Sequence, residues 1–219
     1  MPSPNPIRPS PKEGGGVARA SAGVSKSEQT RERIIRAAAK VFRRKGYAGS
    51  TLADIATAAK TQPGSLYYHF ESRDQIVQAV LERAMVQTSL FVRSRVDEAG
   101  SDASPLDRLK AAIRAHIVHV LALDDFTVAY ERIIDQVPTK VRGRYVDLPR
   151  AYGQFIAGLI DDAVAAGQIR AEVSASVARL LLIGGITWMM TWYKPAGPLT
   201  PDQLADELLS IFLGGLTPR

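Results

Sequence analysis

The stretch TLADIATAAKTQPGSLYYHF, residues 51–70, decides how the chain is read. It opens on Thr51-Leu-Ala-Asp54, the form of a capping box, although Asp is shorter than the usual Glu. Leu52, Ile55, Ala56 and Ala59 follow at helical spacing, and Lys60–Thr61 makes a short linker. Pro63 suits the first turn of another helix, where its missing N–H is not needed. That helix carries Ser65, Leu66, Tyr67 and Tyr68. Two short helices joined by a tight turn predict a helix-turn-helix.

The residues before it supply a third helix. Ser27 has the character of an N-cap and Glu28 lies in the first turn, favourable to the helix dipole. Ile34, Ile35, Ala38, Val41 and Phe42 form one apolar stripe, Arg33, Arg36, Lys40, Arg43 and Arg44 lie largely around the rest, and Gly46 stops the helix. Residues 1–26 hold five prolines and Gly14–Gly16 and cannot bury enough apolar surface to fold, so a disordered basic arm is expected there. They contain no apolar run of a secretory signal.

A tri-helical head over 27–72 is therefore expected, with a larger body over 73–215. Ser72 and Gln75 start a fourth helix that meets no Pro or Gly before about Ala99, roughly 40 Å long at ~1.5 Å per residue. Helix starts follow at Ser104-Pro105, Asp124/Asp125, Ser174 and Thr200-Pro201-Asp-Gln203. The segment Pro138–Ala166 reads as helical with an interruption near Pro149. Strand alternation is absent, so the fold is all-α with about nine helices. The most apolar run, Leu180–Trp192, falls short of the ~18 uncharged residues of a membrane span.

Charge separates the two parts. Residues 1–75 carry 13 Lys/Arg against 6 Asp/Glu, and residues 76–219 carry 15 against 16. The whole excess of the +6 chain thus lies in the first third, the footprint of a phosphate-backbone partner. A chain with no Cys excludes disulfide scaffolds, Cys-ligated zinc and Cys nucleophiles, and fits a reducing, cytoplasmic setting. No Gly-rich phosphate loop, nucleophile elbow or metal triad is present, which argues against an enzyme. Asp124/Asp125 and Asp161/Asp162 are adjacent pairs that point apart on a helix.

In a helix-turn-helix the last helix offers its N-terminal half to base edges of the major groove, and the helix before it braces the backbone. Here that end is Gln62-Pro63-Gly64-Ser65. Gln can read adenine bidentately, Ser donates or accepts, and Gly admits close approach to a phosphate. Tyr hydroxyls suit phosphates and set register. An adaptor bundle whose basic head meets acidic protein is the competing interpretation of the same charge.

Gly46-Tyr47, Thr51-x-x-Asp54-Ile55-Ala56, Ala59, Ser65-Leu66-Tyr67-Tyr68-His69-Phe70 and Arg73 together resemble the DNA-binding head of TetR-family repressors. The similarity runs without a gap from about Arg31 to Leu81. It departs at Lys60-Thr61-Gln62, where many members have Gly-Val-Ser. The resemblance implies a homodimer joined by its last two helices, a palindromic operator in double-stranded DNA, a ligand cavity in the body, and a fourth helix that swings on induction. By position it implies DNA contacts at Thr51, Gln62, Pro63, Gly64, Ser65, Tyr67, Tyr68, His69 and Arg73. Leu66 and Phe70 are assigned to the head's core.

For the cavity, His116, His119, Phe126, Tyr130, Tyr152, Phe155 and Trp188 are the candidates. His116 and His119 share a helix face, but without Cys or a third ligand they define no zinc site, and neither metal nor cofactor is expected. The apolar Val177–Tyr193 helix, with Gly184-Gly185 at its middle, needs partners on several sides; packing against a second copy would use both features, and burial within one subunit is the alternative. The tail Trp192-Tyr193-Lys194-Pro195-x-Gly197-Pro198-Leu199-Thr200-Pro201 is similar to that of TetR-like regulators of fatty-acid or sterol breakdown, which respond to acyl-CoA thioesters. Arg142, Arg144 and Arg150 are candidates to meet such a ligand's phosphates, with an ordinary surface role as the alternative. A small lipophilic or aromatic inducer is the alternative.

Overall fold

The computed structural model describes residues 25–215, which hold ten α-helices, one 3-10 turn and no strand. The head consists of α1 (Lys26–Lys45), α2 (Leu52–Ala58) and α3 (Pro63–His69). The body consists of α4 (Arg73–Glu98), α5 (Pro105–Leu121), α6 (Asp125–Ile133), α7 (Thr139–Arg142), α8 (Asp147–Ala165), α9 (Ala175–Trp192) and α10 (Pro201–Gly214). Most of the basic arm expected over residues 1–26 lies outside the described residues.

Local chemistry sets most boundaries. Thr51 and Asp54 close the expected capping box, and Ser72, Ser104, Asp124, Ser174 and Thr200 each accept from an amide of the first turn that follows. The first helix departs from expectation. Ser25, not Ser27, is its N-cap, because only Ser25 stands three residues before Glu28 and can form the reciprocal box. Pro149 does not interrupt a helix either. It sits in the first turn of α8, where no amide is needed, and the break falls earlier, at the 3-10 turn Gly143–Tyr145.

Two cores divide the molecule, and the division is not at residue 72. The first gathers Ile34, Phe42, Ile55, Leu66 and Phe70 of the head with Ile76 and Leu81 of α4, Phe126 and Ile133 of α6, and Tyr145. The second gathers Val92 and Val96 of α4 with Ile113, Ile156, Ile186 and Leu209 of the later helices. The 26-residue α4 thus belongs to the head at one end and to the body at the other. Polar ties reinforce the join: Arg83 Nη1 donates to Glu32 Oε1 at 2.9 Å, and the Tyr47 amide donates to Gln136 Oε1 at 3.2 Å.

Helix α9 is longer than its apolar run suggested. At 18 residues and a mean hydropathy of 1.3 it reaches the length and composition of a membrane-crossing helix, with Arg179 as its one charge. Its Ala178, Leu182, Ile186 and Met189 are buried, whereas Val177, Leu180, Leu181 and Trp188 are exposed.

Candidate nucleic-acid interface and ligand cavity

Helix α3 separates core from surface residue by residue. Leu66 and Phe70 are buried, as expected of core residues, while Tyr67 and Tyr68 are 60% and 80% exposed. The two adjacent aromatic rings make an open aromatic patch on a short helix. Gln62 is the N-cap residue but makes no capping bond, so its amide is free to reach outward. Among the described residues a side-chain carbon added at Gly64 would meet nothing within 4 Å, which leaves backbone access at that turn. Pro63 is exposed, Ser65 is half-buried, and His69 is half-buried with its ring edge-on to Tyr68 at 4.9 Å.

The turn between α2 and α3 answers the departure at Lys60. The Thr61 amide donates to Ala56 O at 3.0 Å and the Lys60 amide to Thr57 O at 3.1 Å, the paired bonds of a Schellman motif. That motif needs a left-handed residue, and Lys60 adopts it at φ 53°. The turn therefore forms without glycine, at a steric cost.

Two candidates are engaged within the head. The Thr51 hydroxyl accepts from the Asp54 amide at 3.1 Å and donates to Asp54 Oδ2 at 2.9 Å. Hydrogen bonds from Lys45 and then Thr51 hold the Asp54 carboxyl below its ordinary range. Arg73 turns inward: it donates to Ser50 Oγ at 3.0 Å and to the Tyr47 carbonyl, and stacks over the Tyr47 ring. Its Nε is buried without a partner among the described residues. Both hold the loop that delivers α2. Of the basic residues on α1, Arg36 pairs with Glu32 and Arg43 with Asp125, while Arg33, Lys40 and Arg44 stand exposed.

In the body a cavity of about 280 Å³ lies among α4, α5, α6, α8 and α9. Of the seven candidates, His116, Tyr130 and Tyr152 line it. Burial, and then the charge of His119, hold His116 down to about 4, so its imidazole is neutral. Burial pushes the Tyr152 phenol up, and its Oη is buried without a hydrogen-bond partner among the described residues. The two rings meet edge to face at 5.4 Å.

The other four candidates lie elsewhere. Phe126 is in the head's core because α6 turns that face toward α1. His119 stacks on Phe91 at 5.2 Å, and Phe155 lies under the Arg93 guanidinium at 3.9 Å. Trp188 is exposed, on a wider groove of about 810 Å³ between α1, α6 and α9. Arg142 and Arg150 are close to Asp135 and Asp147, and neither lines the cavity.

Sequence reasoning missed Thr88, Glu131 and Arg179, all of which line the cavity. Arg179 had a signal, being the single charge of an apolar helix. It crosses α8 where Gly153 leaves room, since a side-chain carbon there would come within 2.9 Å of its Nη1. Glu131 had none in the sequence. Burial, then the charge of Asp135, push it up to about 7.

Comparison with known proteins places this geometry among relatives. Residues 34–80 match the model of bacterial regulatory proteins of the tetR family, and residues 102–216 match the tetracyclin repressor-like C-terminal domain. The HTH-type transcriptional repressor KstR2 of Mycobacterium tuberculosis is 29% identical over 189 residues, which is 85% of this chain and 92% of that protein. The fatty acid metabolism regulator protein of Bacillus subtilis is 22% identical over 184 residues, 84% of this chain and 93% of that one. Among solved structures, AibR in complex with isovaleryl coenzyme A and operator DNA superposes with a TM-score of 0.74 at 26% identity, covering 83% of this chain and 97% of that one.

Proposed function

The chain belongs to the tetR family of bacterial regulatory proteins, and from that premise we propose a cytoplasmic, homodimeric repressor that a small lipophilic ligand releases from a palindromic operator. The observation that carries the proposal is α3, with Leu66 and Phe70 buried beneath it and Gln62, Gly64, Tyr67 and Tyr68 turned outward. Gln62 and Ser65 read base edges, and Tyr67 and Tyr68 grip phosphates. Lys60 and the exposed cations of α1 add the sequence-independent part of the affinity.

A dimer supplies the second head that a palindrome needs, about one helical turn or ~34–36 Å away. Val177, Leu181, Gly184 and Trp188 recur every three and four residues on the open face of α9, the spacing of a helix–helix seam. Among the described residues nothing comes within 4 Å of a side-chain carbon added at Gly184 or Gly185, which leaves room for a second backbone.

The cavity takes the acyl part of an acyl-coenzyme A thioester of lipid or sterol breakdown. Tyr152 and the neutral His116 offer hydrogen bonds to a carbonyl oxygen, and Arg179 draws an electron-rich group to the same space. A volume of about 280 Å³ lies just below the usual range of ligand sites (~300–1,000 Å³), enough for an acyl group and not for a whole nucleotide conjugate. That small volume also suits a compact aromatic inducer, the second reading.

Selection from a genomic DNA library at moderate salt tests the first part, and recovery of a palindrome bound by two protomers is expected. Unselective binding would leave an adaptor bundle with a basic head. Thermal shift with acyl-coenzyme A thioesters beside the free acids and small aromatics tests the second. Stabilisation by aromatics and by no thioester would overturn the acyl reading.

A further inference from the structure

The cavity and the wider groove share a wall. Glu131 and Thr187 line both, so a ligand buried in the cavity that projects past these two side chains emerges into the groove. Two guanidiniums wait there, those of Arg43 and Arg132. They stand on the C-terminal turn of α1 and on α6, across the groove from Gly184 and Trp188 of the α9 face proposed for the second copy, so the groove borders that face.

Both cations already have a mechanical task. Arg43 Nη1 donates to Asp125 Oδ1 at 3.0 Å and to Leu123 O at 2.9 Å, and Arg132 Nη1 donates to Arg43 O at 3.1 Å. The bonds tie the end of the head's first helix to the turn that starts α6. Leu123 is itself held in the left-handed region at φ 51°, a conformation that a branched side chain resists. A strained turn is thus gripped by a guanidinium that faces a groove of ligand dimensions.

We propose that this groove is an anion subsite for the phosphate-bearing end of an acyl conjugate, and that phosphates binding Arg43 and Arg132 undo the tie between head and body. The proposal rests on the reading of the cavity as an acyl site. Arg43 has one carboxylate partner, and a phosphate oxygen competes directly with Asp125 for it. Among the described residues Arg132 is bonded to a carbonyl alone, a weaker partner than a phosphate. Glu131, raised toward neutrality by burial, opposes an incoming polyanion less than an ordinary carboxylate does. Released from Arg43, the Leu123 turn can relax and α1 loses these polar ties to α6, leaving the apolar core between them to slide. Ligand identity and operator release are then linked through the same two side chains.

The test uses the full chain and two probes with one acyl group: octanoyl-coenzyme A, and octanoyl-N-acetylcysteamine, which has the thioester and no phosphate. Wild-type protein is expected to bind the first at least ten-fold more tightly, with the advantage shrinking as ionic strength rises. In Arg132→Gln the advantage falls to within about three-fold, while affinity for the phosphate-free thioester changes less than two-fold, and Arg132→Lys keeps part of it. Operator release by octanoyl-coenzyme A weakens in parallel. Equal affinity of the two probes for wild-type protein, or equal weakening of both by Arg132→Gln, would overturn the subsite and leave the cavity reading intact. Binding of neither probe would remove the cavity reading, and the inference with it. The salt dependence on wild-type protein decides the matter if the variant does not fold.

Discussion

The Arg73 guanidinium lies 4.2 Å from the centre of the Tyr47 ring and donates to Ser50 Oγ at 3.0 Å. The first residue of α4 therefore pins the loop between α1 and α2, and through it the start of the helix-turn-helix. Loss of the stacked cation and its hydrogen bonds in Arg73→Ala is expected to cost about 1–3 kcal/mol of stability. Operator affinity should fall for every DNA sequence. The salt dependence separates this role from a phosphate contact: a strut leaves the slope of log affinity against log salt unchanged, whereas a lost phosphate contact lowers it by about one. Thermal denaturation and anisotropy titration at several salt concentrations read both quantities.

Lys60 occupies the left-handed position of the turn at φ 53°. Relief of its side-chain clash exceeds the extra chain entropy of glycine, so Lys60→Gly should stabilise the protein by about 0.5–1 kcal/mol. If the amine also meets DNA, the same variant loses about one unit of salt slope while melting later. A variant that melts earlier would mean that the turn draws on Lys60 for something besides its backbone.

The caps were legible because they are local: Ser104, Asp124, Ser174 and Thr200 each precede an amide they can reach. Ser25 was legible by the same rule, three residues before Glu28, and the nearer Ser27 obscured it. The division of α3 between Leu66 and Phe70 inside and Tyr67 and Tyr68 outside also follows from short-range pattern. The cavity does not. Phe126 and Tyr130 are both aromatic and share α6, yet Phe126 is buried in the head's core, while Tyr130 packs against that core and reaches the cavity as well. That choice depends on the docking of α1 against α6, which no local signal encodes. Arg179 lay between, since a lone charge on an apolar helix asks for a purpose without naming it.

Gln62 and Tyr67 should behave differently on α3. Gln62→Ala removes a side chain that makes no capping bond, so stability should hold. Discrimination at one base pair should fall by about 1–3 kcal/mol. Tyr67→Phe should weaken all sequences alike, since a phosphate contact fixes register and carries no base information. Binding to a set of singly substituted operators resolves the two patterns. A uniform loss in Gln62→Ala would remove it from base reading.

Two groups of the cavity give stability opposite pH dependences. His116 is held down to about 4 from 6.5, so between those values the unfolded chain binds more protons and stability falls as pH drops. Glu131 is raised from 4.5 to about 7, so its contribution is fully present below about 4.5 and is lost as pH rises through about 7. Glu131→Gln should therefore melt near the wild-type temperature at pH ~5 and above it at pH ~8. Parallel melting curves at both pH values would show that the Glu131 carboxyl is as well solvated in the fold as in the unfolded chain.

Leu181 on α9 and Ile211 on α10 are 68% and 75% exposed, more open than an isolated chain gains from leaving them. Leu181 lies on the α9 face proposed for the second copy, and Ile211 on α10, the other of the last two helices. Carboxylates introduced there in Leu181→Glu and Ile211→Glu would be buried against apolar partners in a dimer and solvated in a monomer. Desolvating a charge costs several kcal/mol, enough to dissociate a dimer at micromolar concentration. The variants should therefore elute as monomers, with a melting temperature that no longer rises with protein concentration. Operator affinity should drop to that of a single head, while the cavity, built within one chain, still binds its ligand. Wild-type and variant proteins of equal mass in light scattering would place the dimer contact elsewhere and leave the open face of α9 to a different partner.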